Sequence, residues 1–192
     1  MKKNTLAAFL IFFSSIVANL SAQQIITDKI KVFFNHPIDA SRSNGVVATY
    51  ITNSLSDTMS AYINRAKYTV DIAQYDYTAY NSNGVGEFAT AVNNAYARGV
   101  KIRWICDGNA PNSGLNLINS AIPVLPSPTS GAYTIMHNKF IVIDVNSPDS
   151  TEAIVWTGSA DWSDYMNTGD YNNDLSLQSK QLALAYTQEF NI

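Results

Sequence analysis

Between residues 30 and 190 the apolar positions change period several times, and each change marks an element. Ile30 to Asn35 is a short apolar run closed by His36-Pro37, which predicts a strand ending where proline withdraws its amide donor. From Asn53 to Ala66 the residues Leu55, Met59, Tyr62, Ile63 and Ala66 recur at helical spacing, with basic Arg65 and Lys67 at the end. Tyr68 to Tyr77 reads as a strand. Gly84 to Ala97 returns to the helical period through Val85, Phe88, Ala89, Val92 and Tyr96, with Gly99 as its stop. Val100 to Asp107 follows at once as an apolar strand, so strand, helix and strand form a unit whose default pairing is parallel.

Asn112 to Ala121 predicts a shorter helix, and the proline-rich stretch from Pro123 to Pro128 is a connection that cannot be a central strand. Ile135 to Asp144 contains Phe-Ile-Val-Ile and reads as a central, doubly buried strand. Asn146 to Ser150 is a surface turn, and Ala153 to Gly158 is the hairpin partner. Asp174 to Gln178 adds a strand and Leu182 to Phe190 a helix. The alternation predicts one α/β domain over residues 29–192, with a mixed, mostly parallel sheet flanked by helices on both faces.

Composition narrows the setting. A hydrophobic content of 46% over 192 residues is enough for a real core. The N-terminus reads as an export signal over residues 1–23: Met1-Lys2-Lys3 is basic, Leu6 to Ala18 is mostly apolar, and Leu20-Ser21-Ala22-Gln23 offers small residues for cleavage. The run falls short of the roughly 20 apolar residues of a membrane span. The mature chain is therefore expected to begin near Gln23 and to work in the periplasm, at the cell surface or outside the cell. Removing Lys2 and Lys3 leaves ten basic residues against fifteen acidic ones, so no global basic field holds nucleic acid. The single cysteine, Cys106, lies in the apolar run Ile102 to Cys106 and reads as a buried structural thiol.

The chemistry concentrates at Met136 to Asp144 and Trp156 to Ser163. The chain has two histidines. His36 is placed in a turn, whereas His137 stands two residues before Lys139 at the mouth of the apolar strand. Strand alternation points His137 and Lys139 to one side, and gives Asp144 the opposite parity. An imidazole beside a fixed positive charge suits phosphate chemistry, with the carboxylate in the support.

His137-x-Lys139-x4-Asp144 resembles the HxKxxxxD signature of the phospholipase D superfamily, and Thr157-Gly158-Ser159-Ala160-Asp161-Trp162-Ser163 resembles that family's Gly-Ser-x-Asn segment. The similarity continues through Asn172-Asn173-Asp174-Leu175 and Ala185-Tyr186-x2-Glu189-Phe190. It implies a phospholipase D-like sandwich, with His137, Lys139 and Asp144 as the catalytic set and Ser159, Asp161 and Asn173 as substrate-binding residues. It also implies a phosphodiesterase that needs no metal or other cofactor. One histidine attacks phosphorus to form a phosphohistidine, and a second protonates the leaving alkoxide. The substrate is a phospholipid or a nucleic acid, the latter in the manner of a non-specific endonuclease.

Three departures from the pattern matter. Only one such motif is present, so the second histidine must come from a homodimer or from a second half beyond residue 192, the domain then being truncated at its C-terminal end. Asp161 stands where the family has Asn, and an ionised carboxylate repels phosphate where an amide donates to it. Asn173 stands where many members carry a Glu that orients histidine. A phosphate-binding surface module with reduced turnover is the competing reading.

Overall fold

The computed structural model describes residues 29–42, 44, 49–51, 55–79, 85–130, 135–163, 165 and 169–192. The expected export signal and its expected cleavage point near Gln23 lie outside these residues, as do the expected first residues of both early helices. Among the described residues no helix is long and apolar enough to cross a membrane.

Eight strands form one sheet in the order β2-β1-β8-β7-β6-β3-β4-β5. The strands are β1 (Ile30–Phe34), β2 (Thr49–Tyr50), β3 (Thr69–Gln74), β4 (Lys101–Cys106), β5 (Val124–Pro126), β6 (Lys139–Ile143), β7 (Ile154–Gly158) and β8 (Asn173–Gln178). Helices α1 (Leu55–Arg65) and α2 (Val85–Ala97) cover one face and α3 (Lys180–Phe190) the other. The mixed sheet with helices on both faces is as expected, but the balance of pairings is not. β1–β2, β3–β4 and β4–β5 are parallel, whereas β1–β8, β8–β7, β7–β6 and β6–β3 are antiparallel. The ten-residue connection from β6 to β7 permits only a hairpin, and no crossover helix intervenes there.

The two faces have separate cores. α1 and α2 bury Leu55, Met59, Ile63, Val85, Phe88 and Val92 against Val70, Ile72, Ile102, Trp104, Ile141 and Trp156. On the other face Ala183 and Phe190 of α3 close over Ala73, Phe140, Val142 and Val155. The alternation of β6 serves both cores, which is why Phe-Ile-Val-Ile has no polar position. Gly99, at φ 92°, ends α2: the Val100 amide donates to Ala95 O at 3.1 Å, and the chain turns straight into β4.

Several boundaries differ from the sequence reading, each for a visible reason. β6 starts at Lys139 rather than Ile135, because the chain before it peels off to satisfy other partners: the Met136 amide donates to Asp107 Oδ2 at 2.6 Å. β3 stops at Gln74, and the Tyr77 amide leaves the ladder for Asn112 Oδ1 at 3.0 Å. The expected helix over Asn112 to Ala121 is a 3-10 turn, Ser113–Leu117. α3 begins two residues early, capped by Ser179 Oγ, which accepts the Leu182 amide at 3.3 Å. Val124–Pro126 does join the sheet, at its edge, where the prolines cost no ladder bond.

Candidate active site at the mouth of the central strands

The mouth of the sheet is built by strands that end together. Gln74 pairs with Lys139, Phe140 with Thr157 and Gly158 with Asp174, so the start of β6, the end of β7, the start of β8 and the end of β3 share one edge. The Tyr75 amide donates to Asn138 O at 2.9 Å and extends the β3–β6 pairing one step beyond the strands. That bond sets Tyr75 against His137, ring edge to ring face, with centroids 4.7 Å apart.

His137 Nε2 lies 3.0 Å from Lys139 Nζ, which confirms that the two side chains share a side. An ammonium only donates, so this contact requires Nε2 as the acceptor, with the ring proton on Nδ1. The Lys139 side chain is 8% exposed and Nζ sits 5.2 Å over the Tyr75 ring. His137 is exposed, at the rim. A cleft of about 530 Å³ opens beside the pair, lined by His137, Lys139, Thr157, Ser159, Tyr186 and Glu189 among others. A roomier groove of about 620 Å³ between α1 and α2 holds Asp57 and Glu87 but no imidazole, cysteine or cation.

Asp161 belongs to this site. Its Oδ1 lies 3.0 Å from Lys139 Nζ, an ionic contact out of line for a hydrogen bond, and that oxygen has no other partner. Trp162 explains the placement. Its indole is buried near Phe88 and Trp104, and its amide donates to Asp76 O at 3.1 Å, so the loop after β7 is pinned beside β3. Asp76 comes in with it. Burial raises this carboxyl above the ordinary range, a bond from Thr78 Oγ1 opposes that, the Asp161 charge raises it further and Lys139 lowers it.

Ser159 lines the cleft and is also a clasp between β7 and β8. Its hydroxyl donates to Asn172 Oδ1 at 2.9 Å and accepts the Asn173 amide at 3.0 Å, while its own amide donates to Asn173 O at 2.9 Å. Asn173 contributes backbone to this clasp. Its exposed side chain alternates away from the row that holds Lys139, so the structure does not bring Asn173, expected as a substrate contact, together with Lys139. The residue in that row is Asp174, 1% exposed.

Asp174 Oδ2 accepts Trp156 Nε1–H at 3.0 Å and Oδ1 accepts the Ala160 amide at 3.4 Å. Burial pushes its carboxyl up to about 6, against the lowering by these two bonds. The carboxylate lies directly over Gly158, where a Cβ would collide with Oδ1 and with Asn173 O. Glycine is needed there so that an acid on β8 can lean across β7 toward the row of Lys139. Strand parity could have found Asp174, since it shares a face with Ser176, which faces Tyr62 and Trp156 of the core.

Asp144 does not reach this site. It follows the far end of β6, roughly 20 Å from His137 at strand rise, with φ 52°. Its carboxylate accepts the amides of Lys67 at 2.9 Å, Tyr68 at 2.7 Å and Thr69 at 3.0 Å. The structure therefore does not bring Asp144, expected in the catalytic set, together with His137 and Lys139: it ties the α1–β3 turn to β6. His36 follows β1, three strands across from β6, and its ring stacks on Tyr171 at 4.0 Å. Cys106 is buried, and burial, then the Asp107 charge, raises its thiol. Among the described residues no group of three His, Cys, Asp or Glu side chains is placed to hold a metal ion.

Residues 59–192 match the family described as cardiolipin synthase, PLD-like domain. No curated protein matches at a significant level. Among solved structures the chain resembles Nuc from Salmonella typhimurium, a phospholipase D family member, with a TM-score of 0.60 at 21% identity over 84% of this chain and 91% of that one. It also resembles NucT from Helicobacter pylori, with a TM-score of 0.54 at 22% identity over 70% and 84%. At these identities the two structures speak for the fold.

Proposed function

The chain belongs to the phospholipase D-like family, and on that premise we propose that it is an exported phosphodiesterase that works through a phosphohistidine at His137. The observation that carries this reading is the 3.0 Å contact between His137 Nε2 and Lys139 Nζ at the rim of an open cleft. A phosphodiester entering the cleft takes the Lys139 hydrogen bond on a non-bridging oxygen, which frees the Nε2 lone pair to attack phosphorus. The P–O bond to the leaving alcohol breaks as that oxygen takes a proton from a second imidazole. Water then attacks the phosphohistidine, gives its proton to that imidazole and restores His137.

One chain supplies only one such imidazole. His36, stacked on Tyr171 across the sheet, is some 14 Å away by strand spacing, so the second is assigned to a symmetric partner chain. The acyl or nucleotide nature of the substrate is left to its phosphodiester: a phospholipid and a nucleic acid both present one.

A second reading, a phosphate-binding surface module with little turnover, has one specific observation in its favour: Asp161 already neutralises Lys139. Hydrolysis of bis(4-nitrophenyl) phosphate by wild type and His137→Ala separates the two. The enzyme reading expects turnover lost in the variant with the circular dichroism spectrum unchanged, and wild-type activity per chain that falls on dilution as dimers dissociate. Equal rates in both proteins would refute the role of His137, and no turnover with retained phosphate binding would establish the module.

A further inference from the structure

We propose that Asp161 is a specificity-determining residue: its carboxylate, held in ionic contact with the Lys139 ammonium, rejects phosphodiesters flanked by further negative charge while admitting an isolated one. The inference rests on the reading that Lys139 receives the phosphate. Lys139 has three donors. One meets His137 Nε2, and Asp161 Oδ1 faces the ammonium from the same 3.0 Å. Oδ1 is enclosed and has no hydrogen-bond partner, so it is an acceptor that the fold holds against the ammonium without satisfying it.

The surroundings add negative charge. Asp76 stands behind Asp161 on the segment after β3, Glu189 of α3 lines the cleft wall, and Asp174 of β8 lies in the row of Lys139. Four of the described cations are committed elsewhere. Arg103 binds Asp71 at 2.7 Å, Lys67 pairs with Glu152, Lys180 donates to Ser147 O at 3.0 Å, and Arg98 holds carbonyls at the end of α1. A single phosphodiester monoanion can take the Lys139 donor now turned to His137 while Asp161 keeps its ionic contact. A polyanion brings its neighbouring phosphates against carboxylates, and each close encounter costs on the order of tenfold in affinity at low salt.

The test measures kcat/KM on two probes, bis(4-nitrophenyl) phosphate as the isolated diester and a single-stranded oligothymidylate as the polyanion, for wild type, Asp161→Asn, Asp161→Ala and Asp161→Glu. Asp161→Asn should raise the oligonucleotide-to-aryl-diester ratio by about tenfold or more, and the gain should shrink as salt rises from about 0.02 to 0.3 M. Asp161→Ala should move the ratio the same way, and Asp161→Glu should keep the wild-type ratio. A ratio unchanged in both neutral variants, or raised equally by Asp161→Glu, would overturn the proposal. Failure of the underlying reading shows separately, as aryl diester hydrolysis that survives His137→Ala.

Discussion

Replacing Asp144 gives the sharpest test of a motif residue that the fold takes away from the chemistry. Asp144→Ala removes the acceptor of three backbone amides at once, those of Lys67, Tyr68 and Thr69. Thr69 is buried, so its amide is left without water or partner, at about 1–3 kcal/mol. Lys67 and Tyr68 are exposed and turn to solvent, losing only the net worth of their bonds, about 0.5–1.5 kcal/mol each. Alanine at φ 52° adds backbone strain that aspartate bears more easily. The loss should total about 3–5 kcal/mol, a fall of about 2 M in the urea midpoint for an m-value near 2 kcal/mol/M. Asp144→Asn keeps an oxygen for the Oδ1 partners and forfeits only the 2.9 Å bond at Oδ2, so it should cost less than half as much. The turnover number of the folded fraction should stay within about twofold in both variants. Collapse of the rate at an unchanged midpoint would refute the reasoning and return Asp144 to the reaction.

Lys139→Gln should lower the hydrolytic rate by about 10² to 10³, the range for losing one charge-stabilising group, while EDTA leaves it unchanged; restoration by added divalent metal would overturn the expectation. Gly158→Ala should destabilise by at least about 2 kcal/mol, because the new Cβ meets Asp174 Oδ1 and the Asn173 carbonyl; chemical denaturation reads this directly. The raised carboxyl of Asp174 gives its own pH signature. A folded-state value near 6 against an ordinary 3.8 means the folded protein holds more protons in that window, so stability should fall as pH rises from about 4 to 6. Asp174→Asn should flatten that slope, and unfolding curves across the window that match wild type would refute the assignment.

Much of the site was legible because Lys139 opens β6 and His137 stands two residues before it. Parity alone joined His137 to Lys139, and apolar runs located β3, β4, β6 and β7 within a few residues. What parity along one strand cannot show is which neighbour lies alongside. Asp76 and Tyr75 enter the site through the β3–β6 pairing, a relation between segments more than sixty residues apart. Alternation along β8 separates Asn173 from Asp174, but that Asp174 shares the row of Lys139 follows only from register with β7. The excess of antiparallel pairings was hidden for a similar reason: β1 and β8 pair without any short connection to announce it.

That pairing of β1 with β8 has a consequence for the order in which the molecule assembles. Asn35 and Asn172, 137 positions apart, exchange contacts at the end of this ladder, and among the described strands β1 has only β2 for its other neighbour. Synthesis delivers β1 early and β8 late, so the ladder cannot close until nearly the whole described chain is available. Until then Phe33 has no Trp156 to stack on, and the side of β1 that faces β8 is a sticky, open edge. The same gap leaves β8 as an open edge in any chain whose β1 is occupied elsewhere, so two molecules folding side by side can exchange their β1 strands, and crowded refolding should yield swapped pairs that dilute refolding does not.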